Sequence, residues 1–155
     1  MCIRDRFYID EFPERLHHPK ESNLLFPRVA KSSPHVMGTV DRLERDHMHS
    51  EKSVRDVQHL LLSWELLGES RRQTFTDAFT QYVDAYLEHM RLEETVVLAA
   101  AQEALQPGDW TAIDAAFASN TNPLAPGKPR DAAYDRLFTR IVMRAPSPIG
   151  LGSPP

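Results

Sequence analysis

Cysteine is nearly absent from this sequence, since Cys2 is the only one among 155 residues. A single thiol excludes a disulfide framework within the chain and a metal cluster held by several thiolates. Low cysteine content is also typical of proteins that work in a reducing cytoplasm, and we therefore predict a cytoplasmic location.

The chain also lacks a positive charge excess and long apolar runs. Its formal net charge is −4, which argues against a nucleic-acid or anionic-membrane partner because there is no basic surplus to neutralise phosphates. No apolar run approaches the roughly 20 residues needed to span a bilayer, and no signal-peptide pattern is present. No strand-like alternation and no internal repeat occur, so the sequence predicts an all-α protein.

Glycine and proline divide the first two thirds of the chain into three long helical stretches. The first ends near Val29 and is expected to be interrupted by Pro13 and Pro19. The second follows Ser33, predicted as its N-cap, and runs to about Leu67. The third follows the turn at 68–70, where Ser70 and Gln73 fit a capping box, and runs to about Leu105.

In the last third of the chain the predicted helices are shorter and proline is more frequent. Asp109 is predicted to cap a short helix that ends near Ser119, and residues 120–130 read as a Pro-rich linker. Residues 131–144 predict a final amphipathic helix, and the tail after Pro146 has a composition typical of disorder. We therefore divide the chain into a helical bundle at 1–125 and a linker, short helix and tail at 126–155.

The second and third stretches each carry a seam with alternating four- and three-residue spacing, which predicts packing against a partner helix. In the second stretch the seam residues are Val36, Val40, Leu43, His47, Ser50, Val54, Val57, Leu61 and Trp64. In the third they are Phe75, Phe79, Tyr82, Tyr86, His89, Glu93, Val96 and Ala100. Together these stretches predict an up-and-down antiparallel helical bundle with short C-terminal helices.

Each long stretch also carries a histidine with a glutamate one turn further on: His17 with Glu21, His47 with Glu51, and His89 with Glu93. In an antiparallel hairpin the turn near 68–70 brings position 47 to the height of 89 and 93. The turn near 32–34 brings position 47 to the height of 17 and 21. Five groups should therefore meet at one level of the bundle, with helix axes roughly 8–10 Å apart.

Imidazoles and carboxylates that converge inside a bundle are the donor set of a non-haem iron site. The predicted ligands are His17, Glu21, His47, His89 and Glu93. Two carboxylates that can bridge, together with imidazoles, favour a di-iron centre over a single zinc ion, which usually takes three or four ligands. Glu51, at the edge of its seam, and Glu94, beside Glu93, stay open as ligands or as solvated charges. We expect His18 to lie beside the ligands or in solvent rather than among them, and we assign His35, His49 and His59 to solvent. A metal-free reading also stays open, in which the polar seam residues serve pairing specificity.

Four motifs resemble a known family. They are the residues at 17–21 (HHPKE), 25–27 (LFP), 43–47 (LERDH) and 89–94 (HMRLEE). Together they are similar to the hemerythrin-like, or HHE cation-binding, domain, and residues 109–110 and 122–124 are similar to its bacterial branch. The resemblance covers residues 7 to 125 and implies a four-helix bundle that holds two iron ions, with Glu21 and Glu93 as bridging ligands.

The chain departs from the family pattern at its start, where the first family helix with its further histidine is missing. We expect this absence to leave an apolar groove that favours a homodimer. Glu51 stands where oxygen-carrying members have a second histidine. That difference shifts the expectation from reversible oxygen carriage towards sensing or redox chemistry. The resemblance implies oxygen binding, or sensing of oxygen, iron or oxidants, with dioxygen or a similar small molecule as partner. The alternative is iron-dependent repair of nitrosative or oxidative stress, or turnover of peroxide or nitric oxide.

Overall fold

The computed structural model describes residues 10–118, 120, 132–144 and 151–152. The first helix, α1, spans residues 10–32 without a break, but its winding changes along its length. It is π-helical over Asp10–His17, α-helical over His18–Lys20, π-helical over Glu21–Leu25 and α-helical over Phe26–Ser32. The predicted interruption at Pro13 and Pro19 is therefore wrong. A proline lacks the N–H that would donate one turn back. Pro13 lies in a π-helical segment, whose wider turn lets the helix continue around that missing bond, and Pro19 lies at the start of the short α-helical segment His18–Lys20.

The second helix, α2, follows a single 3₁₀ turn at Pro34–Val36 and covers Met37–Leu67. Ser33 separates α1 from this turn, but its side chain makes no capping hydrogen bond. Instead its backbone N–H closes the end of α1 by donating to the Val29 carbonyl at 2.7 Å. The predicted break at Ser33 is thus confirmed, whereas the predicted cap is not formed.

The third helix, α3, spans residues 72–104 as Arg72–Leu92, a π-helical segment Glu93–Val97, and Leu98–Ala104. Gly68 ends α2 with a positive φ of 80°, and a 3₁₀ turn at Glu69–Arg71 leads into α3. The predicted capping box is wrong, because Gln73 Nε2 donates to Asp77 Oδ1 at 2.7 Å, one turn further along its own helix.

Two shorter helices complete the described residues: α4 at Pro107–Ala118 and α5 at Ala132–Arg144. The short helix begins two residues before Asp109. Asp109 still caps it from inside the first turn, since its carboxylate accepts the backbone N–H of Gln106 at 3.2 Å. The predicted linker at 120–130 and tail after Pro146 lie outside the described residues, apart from Asn120, Leu151 and Gly152. The boundary at 125/126 stays a prediction.

The apolar side chains of the bundle form two separate clusters along α2 and α3. The larger cluster joins α1, α2, α3 and α4 and contains the fully buried Phe26, Val29, Leu43 and Val97. The smaller cluster joins only α2 and α3 near their connecting turn, around Val57, Leu61 and Phe75. The apolar seam residues predicted from the sequence, apart from Val54 and Tyr86, lie in or against these clusters, and the all-α, antiparallel bundle is confirmed. Position 47 falls between them, and the polar groups collect there.

Candidate metal centre

Five polar side chains from α1, α2 and α3 meet between the two apolar clusters, and they are the five predicted from the sequence. In α1, His17 Nε2 lies 2.8 Å from Glu21 Oε1. The other carboxylate oxygen of Glu21 lies 3.5 Å from His47 Nε2 in α2. His47 Nε2 is in turn 3.1 Å from His89 Nε2 in α3.

Glu93 closes this arrangement from α3. Its Oε1 lies 3.1 Å from His89 Nε2 and 3.9 Å from His47 Nε2. Each of the two carboxylates therefore faces two imidazoles. Four of the five side chains are well buried, with exposures of 6% for Glu21, 7% for His89, 8% for His47 and 14% for Glu93. His17 lies at the rim with 35% exposed.

Hydroxyl and carboxylate groups around the centre fix the orientation of its imidazoles. Ser22 Oγ donates to Glu44 Oε2 at 2.9 Å and lies 3.0 Å from His47 Nδ1. Because the hydroxyl proton goes to Glu44, the hydroxyl oxygen accepts the Nδ1–H of His47, and Nε2 keeps its lone pair facing the centre. His89 is oriented in a similar way, with Asp46 Oδ2 at 3.5 Å from its Nδ1.

Burial and mutual proximity shift the titration of these groups. Burial, followed by the nearby imidazoles, lowers the pKa of His47 to about 3, which keeps the ring neutral. Burial also raises the pKa of Glu21, with a smaller contribution from the charge of Glu93. The hydrogen bond to Glu21 raises the pKa of His17. Burial lowers the pKa of His89, but the adjacent, charged carboxylate of Glu93 outweighs that effect, so the net shift is upward.

Three buried polar atoms beside the centre make no hydrogen bond: Glu21 Oε2, Glu93 Oε1 and His18 Nδ1. Several of their neighbours lie within ion-pair distance, but without the geometry of a hydrogen bond. A buried carboxylate oxygen without a partner is costly, because its water is lost and not replaced. A cation removes that cost, and neutral imidazole with carboxylate is a donor set that suits iron and related metals. The residues present therefore fit a bound metal ion.

Of the two positions expected for His18, beside the ligands or in solvent, the structure has the first. Its side chain is only 6% exposed and its ring stacks on that of His47, with centroids 4.2 Å apart. One ligand atom from each of His18, Glu21, His47 and His89 lies within 4.8 Å of the others. In a regular helix only one of two adjacent residues faces the core, so spacing alone assigned His17 as the ligand of this helix and left His18 out. Two features of the sequence could have pointed to His18: the prolines on either side of it, and Glu14 one turn earlier.

The remaining acidic and histidine side chains lie outside the centre. Glu51 is 53% exposed and accepts a hydrogen bond from Arg55 one turn on, and Glu94 is exposed as well. The three histidines assigned to solvent are indeed exposed: His35, His49 and His59.

A cleft of about 310 Å³ between α2 and α3 reaches the centre at His18, His47 and His89. Tyr82 and Tyr86 line it, and the ring of Tyr86 stacks on that of His89 with centroids 6.4 Å apart. Burial raises the pKa of Tyr82, so its phenol stays protonated at neutral pH. Both tyrosines are half-buried, and a small molecule in the cleft would contact them and the imidazoles together.

Comparison with known proteins agrees with this geometry. A family model described as the hemerythrin HHE cation binding domain matches residues 5–101. An uncharacterized protein of Haemophilus influenzae is 30% identical over 81 residues, which cover 51% of this chain and 45% of that protein. The chain thus spans about half the length of this curated relative. No solved structure gives a significant match. None of the described helices is long and apolar enough to cross a membrane. The matched region contains every predicted ligand, and the chain belongs to the hemerythrin HHE cation-binding domain family.

Proposed function

We propose that this protein holds two non-haem iron ions and uses them to bind dioxygen, or to sense oxygen, iron or oxidants. The observation that carries the proposal is the pair of buried carboxylates, Glu21 and Glu93, each facing two imidazoles and each with an oxygen that has no hydrogen-bond partner. Ferrous iron bound there would supply an open position for a small diatomic molecule or an oxidant. The low cysteine content is the reason that we include a cytoplasmic location.

The protein side chains have separate tasks in this proposal. His17, His47 and His89 would hold iron through nitrogen, and Glu21 and Glu93 would bridge the two ions. Ser22 and Asp46 orient the imidazole rings of His47 and His89. The apolar cluster around Leu43 and Val97 excludes water from one side of the centre. That exclusion strengthens the attraction between the ions and their carboxylates.

A second function is favoured by the cleft that reaches His47 and His89. Its volume of about 310 Å³ exceeds what a diatomic molecule needs. Such a cleft suits turnover of peroxide or nitric oxide, or iron-dependent repair of nitrosative or oxidative damage. A metal-free interaction module is disfavoured, since it would leave the three unpartnered atoms buried at a cost with no compensation.

Iron content and the response to air test the proposal. The protein is loaded anaerobically with ferrous iron, analysed for iron per chain, and then exposed to air while its optical spectrum is recorded. Close to two irons per chain and a new absorption band on admission of air are expected. His89→Ala and Glu93→Gln should lose iron, whereas His59→Ala, which removes an exposed histidine of α2, should keep it.

The outcomes separate the candidate functions. Reversible loss of the band on removal of oxygen would favour oxygen binding or sensing. Consumption of added peroxide or nitric oxide by the loaded protein would favour turnover. Wild-type protein that retains no iron, or a His89→Ala variant that loads normally, would refute the assigned centre.

A further inference from the structure

His18 shares one feature with His47 and His89. In each of these three rings Nδ1 faces an oxygen at the periphery of the centre: Glu14 Oε2 at 3.3 Å, Ser22 Oγ at 3.0 Å and Asp46 Oδ2 at 3.5 Å, respectively. Histidines that bind metals almost always present their second nitrogen to such an oxygen, which fixes the ring and leaves the other nitrogen for the ion. His17 lies at the rim of the centre, with its Nε2 2.8 Å from Glu21 Oε1.

The side chain of Glu14 is also buried. Its side chain is 5% exposed, and its carboxylate accepts a hydrogen bond from the hydroxyl of Ser50 in α2. Burying a carboxylate is costly, and an imidazole that served only in packing would not require one beside it. The pair of Glu14 and His18, one turn apart in α1, therefore has the form of a carboxylate that orients a metal-binding histidine.

The π-helical winding explains how two adjacent histidines reach one centre. The turn that ends at His17 is closed by i→i+5 hydrogen bonds, so each residue advances less around the axis than in an α-helix. His17 then lies at the rim, and His18 points between the helices onto the face of His47, at an interplanar angle of 11°. π-turns are frequent at functional sites for this reason.

We propose that His18 is a metal ligand of this centre, additional to His17, His47 and His89, and that Glu14 orients its ring. The proposal rests on the function proposed above, because it concerns the same metal centre. His18 is 95% buried, since its residue exposure is 5%, and a ligand atom of its ring lies within 4.8 Å of ligand atoms of Glu21, His47 and His89. Ring stacking on His47 alone would be served equally well by phenylalanine, which has no polar nitrogen to lose its water on burial. Metal ligation accounts for both the imidazole and the carboxylate behind it.

His18→Phe is the variant that separates ligation from packing, because it keeps an aromatic ring against His47 and removes both nitrogens. Cobalt(II) serves as the probe, with affinity measured by chelator competition and coordination followed by the ligand-field spectrum. We expect His18→Phe to lose more than about 100-fold in cobalt affinity and to change the spectrum, beyond the 10–100-fold that loss of an orienting partner costs. Glu14→Gln should fall within that smaller range. His59→Phe is the matched control on the exposed surface and should bind as the wild type does.

A second measurement needs no variant and stays informative if His18→Phe does not fold. In the cobalt-loaded wild-type protein, proton NMR should show one more paramagnetically shifted imidazole N–H signal than His17, His47 and His89 can supply. If the extra signal is missing, or if His18→Phe binds cobalt with wild-type affinity and spectrum while His89→Ala does not, His18 is not a ligand, and the proposed function stands without it. If the wild type binds neither cobalt nor iron, both proposals fail.

Discussion

At the scale of single residues, His47 is the group on which burial and charge act most strongly. It lies between the two apolar clusters with its side chain 8% exposed, and its Nε2 faces Glu21, His89 and Glu93. Its lowered pKa keeps it neutral, and only the neutral ring can bind a metal ion. His17 and His89 differ from it, because their carboxylate partners raise their pKa, so protons compete with a metal ion for these two rings up to a higher pH.

The stability of the metal-free protein should depend on pH through His47. With a folded-state pKa of about 3 against 6.5 in a free chain, the unfolded state binds more protons between these two pH values. The contribution of His47 is therefore fully present above pH 6.5 and is lost as the pH falls towards 3. The raised pKa values of His17 and His89 act in the opposite direction, since their contributions are present below pH 6.5 and are lost as the pH rises.

Urea unfolding of metal-free wild type and His47→Gln at pH 7.5 and pH 5.0 isolates this effect, because His17 and His89 are present in both proteins. The free energy of unfolding of the wild type, relative to the variant, should decrease at pH 5.0 by up to about 2 kcal/mol. That figure is an upper bound, since the cleft beside the ring admits solvent, which screens charge. An equal difference at both pH values would contradict the prediction.

At the scale of helices, winding and ligand position coincide. The π-helical segments Glu21–Leu25 and Glu93–Val97 each begin at one of the two predicted bridging carboxylates. A π-turn lets a side chain leave the regular i, i+4 stripe, so the helix can present a ligand to the centre and return its next apolar residues to the core. Leu25 and Val97, the last residues of these segments, are both buried.

Two glycines test the helix and turn assignments as a matched pair. Gly38 lies in the first turn of α2, where an added Cβ would meet nothing within 4 Å. Gly38→Ala should therefore raise the free energy of unfolding by about 0.5 kcal/mol. Gly68 ends α2 with φ 80° and ψ −165°, a region nearly restricted to glycine. Gly68→Ala should lower the free energy of unfolding by about 1–3 kcal/mol.

Urea unfolding with the iron content recorded in parallel checks this pair. Neither glycine lies near the centre, so both variants should load iron as the wild type does. A Gly38→Ala variant that is less stable than Gly68→Ala would refute the assignment of helix and turn.

At the scale of the whole molecule, the centre occupies the gap between two apolar clusters that do not meet. The larger cluster joins four helices, whereas the smaller one joins only α2 and α3 among the described residues. A metal ion held by α1, α2 and α3 together would link the helices at the level where apolar packing is interrupted. A metal ion that binds the folded state but not the unfolded state shifts the equilibrium towards the folded state by mass action.

Metal should therefore stabilise the protein by an amount that grows with the logarithm of the free metal concentration. At a free ferrous iron concentration about 100 times the Kd, the gain is about 2.7 kcal/mol. For a chain of this size that gain raises the Tm by roughly 5–10 °C. Anaerobic thermal unfolding with and without iron measures it, and removal of the metal by a chelator should reverse it. The Tm of His89→Ala should not rise when iron is added. A wild-type Tm that is the same with and without iron would argue against a centre shared by three helices.

Homodimerisation stays a prediction, as does the boundary at 125/126. Sedimentation of the metal-free and iron-loaded protein addresses the first of these directly. Exposed leucines on α2 and α3, such as Leu62 and Leu87, are compatible with a partner surface but do not identify one.

The sequence by itself determined the helix order, the turns and the level at which His17, Glu21, His47, His89 and Glu93 meet. These depend on local rules: apolar spacing sets the buried face of each helix, and a short turn sets which positions lie at the same height. Tertiary structure alone decided the continuous path of α1 through Pro13 and Pro19, the end contacts that replaced the predicted caps, and the inward turn of His18. Each of those is a choice between local arrangements of similar energy. The choice depends on packing against other helices, which spacing within one helix does not encode.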